Sequence, residues 1–154
     1  MSVIRVVVAD DDPAFRGALH DVLQADARFE VVGIAATGHE LAELVRDLQP
    51  EVVLLDVRMP GGGEVAARAL TGPDAVGEVP TVVVVSAQSG AAGILSMLRA
   101  GAVGFLGKGR LGAQLPDLLA RIMEGEVVLA VPGAAEALRQ LVRDGDAAVT
   151  TDAR

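Results

Sequence analysis

Short apolar runs alternate along the chain with segments whose apolar residues recur every three or four positions. The runs occupy residues 3–9, 30–35, 52–55, 81–85 and 103–106, are rich in Val and Ile, and are nearly free of polar residues. A strand covered on one face alternates apolar with polar. Runs this continuous belong to strands buried on both faces, as in parallel sheets. Between them, Phe15, Leu19, Val22 and Leu23 form a helical stripe, opened by Asp12 as N-cap and Pro13 in the first helical position. Leu41, Leu44, Val45 and Leu48 form a second stripe, closed by Pro50. A weaker helix is expected over 64–70. A fourth carries Ile94, Leu95 and Leu98 and stops at Gly101, and a fifth carries Leu115, Leu118, Leu119 and Ile122 and ends near Gly125.

Five strand–helix repeats predict an α/β fold: a flavodoxin-like, doubly wound (βα)5 parallel sheet, strand order 2-1-3-4-5, with helices on both faces. This gives one domain over 1–125 and a linker or tail over 126–154. In the tail, 126–131 reads as a short extended segment. Ala134, Leu138, Leu141 and Val142 form a narrow stripe that predicts a C-terminal helix near 133–143, and the small, polar stretch 145–154 is expected to fray.

Composition narrows the class. Hydrophobic residues make up 51% of 154 and mean hydropathy is +0.45, enough for a real core, but Phe15, Phe29 and Phe105 are the only aromatics, so Val, Leu and Ala must fill it. With no cysteine, disulfides and thiolate metal sites are excluded. A net charge of −8 with no basic patch argues against direct nucleic-acid binding. The opening apolar run is too short for a signal segment and meets three aspartates, and no stretch is long enough for a membrane span, so a cytoplasmic soluble protein with no membrane contact is expected.

Candidate chemistry lies where such sheets keep it, at the carboxyl ends of the strands. The first strand ends in Asp10-Asp11-Asp12, the third in Asp56, the fourth in Ser86 and the fifth in Gly107-Lys108. The second, at the predicted edge, ends in Ala35-Ala36. Lys108 is the sole lysine against twelve arginines. Clustered carboxylates repel unless a cation joins them, and an all-oxygen set without His or Cys favours a hard ion, here Mg²⁺. A metal ion, an ammonium and a hydroxyl around one aspartate are the equipment for phosphoryl transfer onto that carboxylate.

At this point the chain resembles the response-regulator receiver domains of bacterial two-component signalling, most closely the NarL/FixJ subfamily. The resemblance rests on residues 6–13 (VVVADDDP), 52–61 (VVLLDVRMPG), 82–87 (VVVVSA) and 98–108 (LRAGAVGFLGK). It implies Asp56 as phosphoacceptor and Asp11 as direct Mg²⁺ ligand, with Asp10 assisting through water and the Arg58 backbone carbonyl adding a ligand. It implies Ser86 as switch hydroxyl, Lys108 as phosphate-binding ammonium and Phe105 at the switch-aromatic position. A histidine kinase is then the expected partner, and control of another protein or of self-association, such as a homodimer, the expected output. The chain departs from the pattern in places. Gly109 stands where many receivers carry proline, so no cis-proline is expected. Asp12 adds a third acid that can serve as an N-cap alone. The loop at Gly61-Gly62-Gly63 is expected to be mobile, and Phe105 lacks a tyrosine hydroxyl, so it reads as core before switch. A tail this short and acidic is no DNA-binding module.

Two other readings compete. A phosphorylation-independent receiver-like scaffold would act through the tail helix or the face of strands 4 and 5. A hydrolase with an aspartyl nucleophile, of haloacid-dehalogenase type, needs an acid where Arg58 stands. His20 and His39 read as solvent-facing, and the triple glycine lacks the ending of a P-loop.

Overall fold

The computed structural model describes residues 3–73, 75, 77–87, 90–110, 112 and 114–152. Six strands form one parallel sheet in the order β2-β1-β3-β4-β5-β6. They are β1 (Ile4–Ala9), β2 (Phe29–Ala35), β3 (Val52–Leu55), β4 (Thr81–Ser86), β5 (Gly104–Gly107) and β6 (Val128–Ala130). The helices are α1 (Pro13–Gln24), α2 (Gly38–Leu48), α3 (Gly63–Thr71), α4 (Ala91–Arg99), α5 (Gln114–Met123) and α6 (Ala134–Asp152). The five expected strand–helix repeats are all present in the expected order.

Successive strand residues point to opposite faces, and the two cores follow from that. Val6, Val8, Leu54, Val83, Val85 and Leu106 meet Leu19 and Leu23 of α1 and Leu115, Leu119 and Ile122 of α5. Val7, Ala9, Val53, Leu55, Val82, Val84 and Phe105 meet α2, α3, α4 and Ala137 of α6. Every residue of β3 is buried, which is why that strand has no polar position.

Local signals set the helix ends. The Asp12 carboxylate accepts from the backbone N–H of Ala14 (3.0 Å) and Phe15 (3.4 Å), capping α1 as expected. The Thr37 hydroxyl caps α2 by accepting from Glu40 N–H at 3.1 Å. The triple-glycine loop carries backbone hydrogen bonds. Gly38 N–H donates to the Pro60 carbonyl, Gly62 N–H to Met59 and Gly63 N–H to Val57, all within 3.1 Å. At Gly63 a Cβ would lie 2.6 Å from Val57 Cα and 2.8 Å from the Asp56 carbonyl, so only glycine lets α3 start against the loop that follows Asp56.

In the tail, the segment read as extended over 126–131 contains a strand, and the helix is longer than expected. Residues 128–130 add β6 to the sheet, pairing Gly104 with Val128, Phe105 with Leu129 and Leu106 with Ala130. The helix expected over 133–143 runs to Asp152, through most of the stretch expected to fray, while residues 153 and 154 lie outside the described residues. Its first turns pack on α4, where Ala137 is fully buried. Once a helix is nucleated by docking, propagation through Ala-rich sequence is cheap. Among the described residues no peptide bond is cis and no helix is long and apolar enough to cross a membrane.

Candidate functional site

Parallel pairing brings the aspartates together. Ala9 of β1 faces Leu55 of β3, so Asp10 and Asp56 are the next residues of neighbouring strands. Both remain tied to the ladder: Asp10 N–H donates to the Ala35 carbonyl (3.0 Å) and Asp56 N–H to the Ala9 carbonyl (2.9 Å). Their carboxylates are buried, Asp10 at 1% exposure and Asp56 at 6%, whereas Asp11 beside them is exposed. Asp10, Asp11 and Asp56 each place a carboxylate oxygen within 4.8 Å of the others.

Lys108 enters from the next strands. Ser86, the buried last residue of β4, pairs with Gly107 of β5, and Lys108 follows at the start of a single 3-10 turn (Lys108–Arg110). Lys108 Nζ stands 2.9 Å from Asp10 Oδ2 and 3.7 Å from Asp56 Oδ2. Asp10 Oδ2 is thus paired with the ammonium, while Oδ1 accepts from Asp12 N–H at 2.9 Å. Asp56 Oδ1 accepts from Arg58 N–H at 3.2 Å.

Burial raises the Asp56 pKa above the ordinary carboxylate value, and the charge of Asp10 adds to the rise against the opposing Arg58 N–H and Lys108. For Lys108, burial works against the ammonium, but the carboxylates of Asp10 and Asp56 outweigh it and the pKa is raised. Two buried carboxylates and an exposed third therefore face one ammonium. That excess of negative charge suits a hard divalent cation bound through oxygen.

Other expected residues stand apart. Asp12 is engaged as the α1 cap. Phe105 is 2% exposed in the core on the α4 and α6 side, its ring serving as packing. Arg58 joins the site through its backbone N–H, and its residue is exposed. His20 and His39 pair with Asp21 and Glu43 on helix surfaces. One site neighbour was read only as core: the Phe15 ring, with Lys108 Nζ 4.0 Å from its centroid. Its place three residues after the N-cap turns it back toward the carboxyl edge of the sheet, the one signal that pointed there.

Residues 6–122 match the family model described as the response regulator receiver domain. This chain belongs to that family. Among proteins similar to this receiver is a protein-glutamate methylesterase/protein-glutamine glutaminase of Photobacterium profundum, 38% identical over 112 residues, covering 68% of this chain and 26% of that protein. Another is the transcriptional regulatory protein NarL of Mycobacterium tuberculosis, 36% identical over 143 residues, covering 89% of this chain and 64% of that protein. The receiver thus spans less than two thirds of either relative. Among solved structures, a LuxR-family two-component response regulator from Aurantimonas sp. SI85-9A1 superposes with a TM-score of 0.80 at 27% identity, covering 92% of this chain and 99% of that one.

Proposed function

We propose that this receiver takes a phosphoryl group onto Asp56 from a histidine kinase and changes its surface in response. The observation that carries this reading is the cluster itself: three carboxylate oxygens within 4.8 Å, beside the chain's sole lysine. A carboxylate oxygen of Asp56 attacks phosphorus as the bond from phosphorus to the kinase's imidazole nitrogen breaks. That nitrogen keeps the electron pair and takes up a proton, and the product is an acyl phosphate.

Asp10, Asp11, Asp56 and the Arg58 carbonyl would hold Mg²⁺, with Asp10 acting through water. The ion supplies positive charge that offsets charge on the phosphoryl oxygens. Lys108 offsets the same charge from the β5 side, because its ammonium already faces Asp56. Ser86 ends the strand between them, and in this reading its hydroxyl would donate to a phosphoryl oxygen and draw the start of α4 inward. Phe105, buried against α4 and α6, would pass that shift on through packing. The output is a partner protein or a second copy of this chain.

Incubation with Mg²⁺ and acetyl phosphate, read by intact mass, tests the reading. A single phosphoryl adduct is expected on the wild type, and none on Asp56→Asn or with chelator present. An adduct that persists on Asp56→Asn sinks the assignment. One observation favours a second reading: Leu138, Leu141 and Val142 of α6 are exposed, an apolar stripe for a scaffold that works without phosphate. A folded wild type that takes up no phosphate, with partner binding unchanged by Asp56→Asn, would favour it. The hydrolase reading lacks its acid, since Arg58 holds that place.

A further inference from the structure

We propose that Phe15 is a positioning residue for Lys108, its ring face holding the ammonium in the conformer that faces Asp56. The inference rests on the phosphoacceptor reading for its consequence, though not for the contact itself.

Three observations place the ring. The Lys108 nitrogen lies 4.0 Å from the Phe15 centroid, inside the range where the negative face of an aromatic ring attracts a cation. The Lys108 side chain is only 18% exposed, so water weakens that attraction little. The first turn of α1 is fastened to the end of β1 twice over. Asp12 receives the N–H groups of Ala14 and Phe15, and the Arg16 guanidinium donates to the Asp10 carbonyl at 3.0 Å. Phe15 is therefore held by the same strand end that carries the carboxylates, and it packs at the margin of the α1 and α5 core.

The chemistry explains why an aromatic is needed. Lysine is a flexible point charge on four methylenes, and the Asp10 pair is its one close carboxylate contact. Asp56, at 3.7 Å, is too far to fix it. An aliphatic residue at 15 would fill the space but leave the ammonium free to swing out to solvent. The ring gives it a third contact. The ammonium is then oriented before any phosphoryl group arrives, which is where positioning gains rate.

The sole lysine makes this testable on the intact chain, because lysine-labelled protein gives one side-chain NMR signal set. The ring current of Phe15 should move the terminal methylene protons of Lys108 upfield in the wild type. Phe15→Leu should abolish that displacement and slow phosphate uptake from acetyl phosphate roughly three- to ten-fold. Phe15→Trp, which keeps a ring face, should restore both. Fluorinated phenylalanines at position 15 keep the shape while draining the ring face, and uptake should slow with each added fluorine. An upfield displacement that survives Phe15→Leu, a Phe15→Leu rate equal to wild type, or a flat fluorine series overturns the proposal. If the wild type takes up no phosphate, the phosphoacceptor reading fails, and the NMR signal alone still decides whether Phe15 holds Lys108.

Discussion

Lys108–Asp10 and Arg99–Asp144 are both pairs of a cation and a carboxylate, and they sit in opposite settings. The first joins side chains 18% and 1% exposed at the carboxyl end of the sheet, and the second joins side chains 47% and 39% exposed between α4 and α6. In the first, neither partner can be removed without stranding charge out of water. In the second, water takes over when either leaves. The tail is therefore attached by what is apolar and buried, above all Ala137. The site is organised by what is charged and buried, and it keeps a surplus of negative charge that a monovalent ammonium does not cancel.

The largest effect should come from breaking the apolar attachment. Ala137→Asp puts a charge into a fully buried position and should lower unfolding stability by about 3 kcal/mol or more in denaturant titration, while phosphate uptake in the folded fraction persists. Lys108→Met comes next. It strands Asp10 and Asp56 together and should cost about 1–3 kcal/mol in metal-free buffer, a loss that added Mg²⁺ should shrink. A Mg²⁺-insensitive melting temperature in this variant would break the comparison.

Asp56→Asn should act with the opposite sign. The folded-state pKa of Asp56 lies above its ordinary value of 3.8, so the fold holds that proton more tightly than the open chain does. The stability this lends is present below 3.8 and is lost as pH rises through the raised value. At neutral pH without metal the charged carboxylate is a burden. Asp56→Asn should therefore melt higher than wild type there, with a shallower decline in stability above pH 4. The smallest effect belongs to the exposed pair: Arg99→Ala should change stability by less than about 1 kcal/mol, and even that should fade with added salt. A loss as large as that of Ala137→Asp would mean that charge, not apolar contact, fastens α6.

What could be read from the sequence divides along the same line. Asp10, Asp56 and Ser86 are each the first residue past an apolar run and Lys108 is the second, so strand periodicity and the parallel rule suffice to bring them to one edge. Asp12 and Pro13 announce the start of α1 because capping is local. β6 lies within the segment read as extended over 126–131, but its place in the sheet depends on the open edge of β5, which no local pattern reveals. The length of α6 depends on docking through Ala137, a residue no different in type from Ala134 and Ala135 in the turn before it. Gly63 could be recognised as a glycine but not as the point where Val57 leaves no room for a Cβ. Phe15 has two roles, and the apolar stripe of α1 explained only the first.

β6 has a consequence for the order of synthesis. The edge of β5 is an open row of hydrogen-bonding groups until residues 128–130 have left the ribosome, because no earlier segment pairs there. During that interval the nascent chain holds a nearly complete fold with one side ready to accept a strand from a neighbour. Once β6 closes it, the sheet ends on a strand of three residues, too short to template another chain. On the other side it ends on β2, where exposed Glu30 sets a charge along the rim.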